Sequence, residues 1–368
     1  MVPSPGARWR RGVRTGVLPA LVALLASNVV SSSPLLGETL RLRAGSTALR
    51  DGPKSSRTQS MPRVLVINLD KDAARWATTS RELVAQRVPR VERVSGVYGK
   101  ALTPAELRQN VTALGRIFAT PGMIGCFLSH RRCWQRTMEL PNGGSALVLE
   151  DDVQLASDFV PRLREALGEL EAATGGDWDV LLVGALGCVH PAGHYGLNRI
   201  NAFFAGGGRR PKWVSPHVAV PRRPFGTHAY VVSRRGAEKL HAKLTKASYH
   251  IDGVAWGIQD LDLYIVHPML AHQAFTAPST IGGVVQGIET RIPRVVVDEY
   301  TGVTLNWAFN EPVIRVWRWT WTIGRCLGAI VVGFLASAVT KNRVLLATHS
   351  SLTFSAFVLM RVMNRGRT

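Results

Sequence analysis

The chain has little cysteine, little acid and no long apolar run in its middle. Four cysteines in 368 residues exclude a disulfide-stapled miniature domain. Cys126 and Cys133 sit seven apart, about 10 Å of rise on one helix, too far to bridge. The central sequence holds no stretch near the roughly 20 apolar residues of a span, which excludes a polytopic transporter. Hydrophobic residues at 46% and charged residues at 19% exclude a disordered chain. The acid shortage is uneven. Asp+Glu number 25 against 45 Lys+Arg, a net charge of +20. Residues 1–62 hold nine basic and two acidic residues, and residues 312–368 hold eight basic and none acidic. The remaining 249 residues therefore carry 28 basic and 23 acidic residues, a net of +5. Base concentrated at both ends, beside apolar segments, points to targeting or membrane contact, not a nucleic-acid groove. No RNA-binding aromatic signature, zinc-finger spacing or basic zipper is present, so no nucleic-acid partner is expected.

The N-terminus carries Arg8, Arg10, Arg11 and Arg14, then the apolar stretch 16–30, then Ser31 to Pro34. Residues 1–34 read as a signal peptide or a short signal anchor, and both forms fit. No acid precedes Glu38, so a plastid or mitochondrial transit peptide is the rival. Residues 35–62 read as a flexible basic stem. Near the other end, apolar runs 326–340 and 344–360 are separated by Lys341 and Arg343, with Trp307, Trp317, Trp319 and Trp321 before them. Trp beside apolar helices and Arg is the pattern of a membrane interface. A tilted helix, a hairpin and two in-plane helices all fit, with a pair of core helices in the globular domain as the rival, and residues 312–368 read as a basic membrane-associated tail. Asn110-Val111-Thr112 is a glycosylation sequon, usable on a lumenal face.

Between the ends, strand and helix patterns alternate. Strands are expected at 63–69, 91–95, 146–149, 179–183 and 229–232, and helices at 72–87, 122–138, 158–171 and 234–244. Thr103-Pro104-Ala105-Glu106 is a helix start, with Thr as cap, Pro first and Glu at the capping-box position. Alternation of this kind predicts an α/β layered fold with a mainly parallel central sheet. Ligands gather at the carboxyl ends of such strands. Asn68, Asp70 and Glu150-Asp151-Asp152 all fall there. Three adjacent carboxylates repel one another unless solvated or bound to a cation. Residues 150 and 152 face one side of an extended chain and can grip one hard cation. A solvated loop or an acid-favouring helix N-terminus explains the same cluster.

Several segments together resemble glycosyltransferase family 25, which includes lipooligosaccharide and collagen galactosyltransferases. The matching pieces are Val66-Ile67-Asn68-Leu69-Asp70 with Arg75-Trp76, Gly125-Cys126-Phe127-Leu128-Ser129-His130 with Trp134, and Ala146 to Val153. Further on are Gly226 to Ser233 with Gly236-Ala237, His250-Ile251-Asp252, and Pro268, Gln273 and Pro278 to Ile281. The likeness covers about residues 63–285 within a domain spanning 63–311. Ile251 replaces the usual proline before Asp252, and residues 191–223 form a Gly/Arg/Pro-rich insertion.

The resemblance implies a GT-A-like nucleotide-sugar fold and an inverting transfer. The hexose is galactose from UDP-galactose, and the acceptor is a hydroxyl on a glycan, glycolipid or protein. It implies Mn²⁺ or Mg²⁺ held by Glu150 and Asp152, with Asp151 orienting it or binding through water. Asn68, Leu69, Arg75, Ser129 and His130 fall to the donor side, His130 as a hydrogen-bonding support or a sugar contact. Asp252 is the first choice for the base, with Asp260 and Asp262 as substitutes. His267 and His272 offer imidazoles to the metal shell, although a single His near a strand end is more often structural. The expected location is a secretory-pathway membrane, on the lumenal face of endoplasmic reticulum or Golgi, with the plastid as alternative. A catalytically inactive, membrane-bound carbohydrate-binding or scaffold protein of the same fold is the competing function.

Overall fold

The computed structural model describes residues 60–188, 191, 208–273, 310–317 and 319–364. The signal segment, nearly all of the stem, residues 192–207 of the insertion and Pro278 to Ile281 lie outside the described residues.

The chain runs β1 (Arg63–Asn68), α1 (Ala73–Ala85), β2 (Val91–Ser95), α2 (Pro104–Asn110), α3 (Ala113–Phe118) and α4 (Pro121–Met138). Next come β3 (Ala146–Glu150), β4 (Val153–Leu155), α5 (Phe159–Thr174), β5 (Val180–Cys188), β6 (Lys212–Trp213) and β7 (Val218–Val220). They are followed by β8 (Arg223–Val232), α6 (Arg234–Lys243), α7 (Ile251–Ala255), β9 (Leu263–Val266) and β10 (Ala271–Gln273). The chain closes with β11 (Pro312–Val316), β12 (Trp319–Thr322), α8 (Ile323–Thr340) and α9 (Arg343–Asn364). The helix start read at Thr103 is a formed capping box: its hydroxyl accepts from Glu106 N–H, and Glu106 accepts from Thr103 N–H.

Eight strands form one sheet, in the order β2-β1-β3-β8-β5-β9-β7-β6. β1 is parallel to β2 and β3, and β5 is parallel to β9. β8 runs antiparallel to β3 and β5, and β7 runs antiparallel to β9 and β6. Six strands thus point one way and two the other, which makes the sheet mainly parallel. The wedge of β8 between β3 and β5 differs from a simple order of consecutive strands. β5 also runs through Gly184, past the end expected there, with shifted register against β8.

The apolar strand runs are explained by burial on both faces. Ala146, Val148, Val180, Leu182, Tyr230 and Val232 enter one core with helices α4, α6 and α7. The alternate residues Leu147, Leu149, Leu181, Val183, Ala229 and Val231 enter a second core with α1 and α5. Each buried Val or Leu contributes about 1.5–3 kcal/mol, so the two layers fix the sheet's register and with it the strand ends.

The last two helices are longer than the apolar runs read from sequence, and each is long and apolar enough to cross a membrane. They pack as a hairpin turning at Lys341. The His349 imidazole contacts the Phe334 ring at 5.0 Å between centroids and reaches the Ile330 carbonyl at 3.1 Å. Gly333 makes that contact possible, because a Cβ there would lie 2.2 Å from the His349 ring. Val332, Val339, Val344 and Phe354 stay exposed, whereas Leu359 and Met363 tuck against the core beside α7.

Candidate active site

The carboxyl ends of β1 and β3 lie side by side, with Ile67 opposite Glu150. Asn68 therefore sits beside the turn Asp151-Asp152 that links β3 to β4. Its amide nitrogen donates to Asp151 Oδ2 at 2.7 Å and to the Asp72 carbonyl at 3.1 Å. Its amide oxygen accepts from Arg93 Nε at 2.8 Å. Arg75 points from the first turn of α1 into the acidic turn, with Nη2 2.5 Å from Asp151 Oδ1 and 3.1 Å from Asp152 Oδ2. Arg75 is thus turned into the cleft and not outward from the helix surface. Leu69 lines the same cleft, together with Tyr98, Lys100 and Gly122.

α4 forms the opposite wall. Its approach to the loop after β2 depends on Gly125, where a Cβ would lie 2.4 Å from the Val97 carbonyl. Ser129 reinforces this seam: its hydroxyl donates to the Gly125 carbonyl at 2.7 Å and accepts from Val97 N–H at 2.8 Å. One turn on, His130 is 1% exposed and faces Glu150, Nε2 to Oε1 at 3.3 Å. A chain of donors fixes its tautomer. The Trp134 indole N–H, which can only donate, gives to the Tyr230 hydroxyl oxygen at 3.0 Å. The Tyr230 hydrogen is then directed at His130 Nδ1, 3.0 Å away. That leaves the His130 proton on Nε2, aimed at Glu150. Thr227 Oγ1 donates to the same Glu150 oxygen at 2.7 Å.

The two outer acids are pushed in opposite directions. Burial raises the Glu150 carboxyl, but the hydrogen bonds from His130 and Thr227 outweigh it and hold it below the usual carboxylate range. Burial and then the Glu150 charge push Asp152 up to about 6, against the pull of Arg75 and Gln273. Burial also raises Asp151, with Asn68 and Arg75 opposing it. Both hydrogen bonds to Glu150 fall on Oε1. Gln273 Nε2 holds Asp152 Oδ2 at 3.1 Å, while Asp152 Oδ1 is buried with no hydrogen-bond partner. An unsatisfied buried carboxylate oxygen, in an all-oxygen pair with Glu150, fits a hard divalent cation. Cys126, His130 and Glu150 also lie close enough to share an ion. The donor chain through Tyr230 instead makes His130 a proton donor to Glu150, not a free imidazole ligand.

The structure gathers Asn68, Leu69, Arg75, Ser129, His130, Glu150, Asp151 and Asp152 around one cleft. Asp252 lies at the start of α7, and its charge reaches Cys126 and His228 beside Glu150. Its two oxygens accept backbone N–H groups, Gly226 at 2.7 Å and Gly253 at 2.6 Å. Asp260 is not brought to the cluster. It precedes β9 at the opposite end of the sheet and pairs with Lys243 at 3.2 Å. Asp262, at the same far end, pairs with Arg235 at 2.7 Å. His267 is buried against Trp213, and His272 lies on β10, paired with β4. The roles of Thr227 and Tyr230 in holding Glu150 and His130 were not read from sequence. Tyr230 had a signal, a hydroxyl inside an apolar strand that must find a partner when buried.

The model of glycosyltransferase family 25, described as LPS biosynthesis protein, matches residues 61–255. Among curated proteins, the chain is 27% identical over 252 residues to procollagen galactosyltransferase 1 of Danio rerio, covering 61% of this chain and 36% of that protein. It is 26% identical over 204 residues to procollagen galactosyltransferase 2 of Homo sapiens, covering 51% and 28%. It is 33% identical over 125 residues to a probable inactive glycosyltransferase 25 family member 3 of Bos taurus, covering 33% and 18%. The chain thus spans about a third or less of these relatives' lengths. The acidic turn, Asn68 and the Ser129-His130 helix all fall within the family match, which takes in more than half of the residues, and the chain belongs to glycosyltransferase family 25.

Proposed function

We propose that the protein is an inverting glycosyltransferase that moves a hexose, galactose from UDP-galactose, to a hydroxyl of a glycan, glycolipid or protein. The observation that carries this reading is the unsatisfied Asp152 Oδ1 beside Glu150, in a cleft that also presents Asn68 and Arg75. Glu150 and Asp152 would hold Mn²⁺ or Mg²⁺, which supplies positive charge to the departing diphosphate. Arg75 adds a fixed cation, and its Nε is buried without a partner. Asn68, Leu69 and Asp151 shape the nucleotide side. Tyr98 offers an exposed ring at the rim, with Lys71 Nζ 5.3 Å from its centroid, suited to stacking a base. His130 and Thr227 keep Glu150 ionised and turned to the cleft. Asp252 is the acceptor-side carboxylate named by the resemblance.

The apolar hairpin supports attachment to a membrane, with Trp317, Trp319 and Trp321 exposed at its foot and Arg325 beside them. A secretory-pathway membrane, with the domain on the lumenal side of endoplasmic reticulum or Golgi, is the matching location. The direct test is a UDP-sugar screen of the full chain in detergent, with Mn²⁺ and with EDTA. UDP release from UDP-galactose that EDTA abolishes is the expected result. A bovine relative named as probable inactive keeps a carbohydrate-binding scaffold in view. That alternative predicts no UDP release from any donor.

A further inference from the structure

Asn110-Val111-Thr112 has the spacing for N-glycosylation, and no second Asn-x-Ser/Thr triplet occurs in the 368 residues. Asn110 closes α2, and its neighbours Arg108 and Gln109 are exposed. One N–H of its side-chain amide donates to the Glu106 carbonyl at 3.1 Å, in an exposed position, which leaves the other N–H for a sugar. Leu114 and Ile117 on α3 are exposed as well, so this surface is open among the described residues. Asn110 does not line the cleft. The other two residues of the triplet are committed to the fold. Val111 is fully buried and pairs with Ala247 in an isolated parallel bridge. Ala247 N–H donates to the Asn110 carbonyl at 2.8 Å, and Thr112 N–H donates to the Ala247 carbonyl at 2.9 Å. The Thr112 hydroxyl accepts Gly115 N–H at 3.0 Å as the cap of α3. Gly115 permits this approach, since a Cβ there would lie 2.8 Å from the Ala247 carbonyl. The folded triplet thus cannot be drawn out by a modifying enzyme, although the Asn110 side chain stays outward. During synthesis, Ala247 follows Asn110 by on the order of ten seconds, and until then nothing closes the bridge.

Building on the secretory-pathway reading, we propose that Asn110 carries an N-linked oligosaccharide, added in the lumen before the Val111–Ala247 bridge closes. The donor class is an oligosaccharide joined to a polyprenyl lipid through a diphosphate. Asn110 Nδ2 bonds to the anomeric carbon of that sugar. The bond from that carbon to the phosphate oxygen breaks, and the lipid diphosphate leaves with the electron pair. The amide gives up one proton, which passes to solvent, and keeps the N–H that bonds to Glu106. The bulky, hydrated glycan then stands on the surface that Leu114 and Ile117 leave open. Asn110 and the acidic turn belong to one compact unit, so the glycan fixes the cleft on the lumenal side as well.

The test expresses the full chain in mammalian cells and compares gel mobility before and after peptide N-glycosidase treatment. The shift of one glycan is expected for wild type and for Thr112→Ser, and no shift for Asn110→Gln or Thr112→Ala. Mass spectrometry of the released peptide should place the modified amide at residue 110. Gly144→Thr supplies the control, because it completes a second triplet that starts at the exposed Asn142. A Cβ at Gly144 would meet nothing closer than 3.4 Å, so the loop accepts the change. An unshifted wild type beside a shifted Gly144→Thr would overturn the Asn110 assignment and leave the lumenal location standing. A shift that persists in Asn110→Gln would do the same. No shift in wild type or in Gly144→Thr would overturn both.

Discussion

Asp152 is the side chain at which function and stability conflict most openly. In the metal-free protein its carboxyl stands near 6, above the ordinary 3.8, because burial and Glu150 disfavour its charge. A raised folded value means stability is greatest below the unfolded value and is lost as pH rises from about 4 through 6. Asp152→Asn should therefore abolish EDTA-sensitive UDP release yet stabilise the metal-free protein at pH 7 by about 1–3 kcal/mol. Denaturant titrations of both proteins at pH 4 and 7 would show the gap opening with pH. A variant that is both inactive and unfolded would count against the metal assignment. Tyr230 makes the opposite case. Its hydroxyl joins the Trp134 N–H to His130, and all three side chains are buried. Tyr230→Phe leaves that N–H without an acceptor and frees the His130 tautomer, at a cost of about 1–3 kcal/mol in denaturant midpoint analysis.

The strands and helices hold the cleft through a few contacts at their ends. At the far end of the sheet, Asp179 is 0% exposed and receives Arg235 Nε at 2.8 Å, Lys239 Nζ at 2.6 Å and Asp262 N–H at 2.9 Å. This ties β5, α6 and the entry to β9 together. Asp179→Asn should cost about 3 kcal/mol, because it breaks a buried charged pair from one side. UDP affinity should stay unchanged, since the cleft lies at the other end. Gly125→Ala acts at the cleft instead. Its Cβ would press on the Val97 carbonyl and shift the loop that carries Tyr98 and Lys100, so donor KM is expected to rise with little change in kcat. The β1–α1 unit, the Thr103 cap and the acidic turn were legible because their signals are local: an apolar run, a cap spacing, three acids after a strand. The insertion of β8 between β3 and β5 was not, because strand order is decided by pairing between distant segments. Asp260 was misleading for the same reason: proximity to Asp252 in sequence hides the turn of chain that carries it to the other end of the sheet.

The helical hairpin bears on where the whole chain works. A single charged residue on an exposed position such as Val332 should disclose its environment. In a bilayer, Val332→Arg near the helix centre costs about 2.5–3.5 kcal/mol and should weaken retention of the chain by membranes after alkaline washing. At a water-exposed position it should change nothing. The hairpin also has both of its ends at the domain: α8 leaves directly from β12, and α9 returns Leu359 and Met363 to the core beside α7. A protein hung from one helix swivels and nods about that stalk. One clamped at two points cannot. Under the proposed membrane attachment, its cleft would keep a set height and tilt above the bilayer, and acceptors presented at that height would meet it at a high effective concentration.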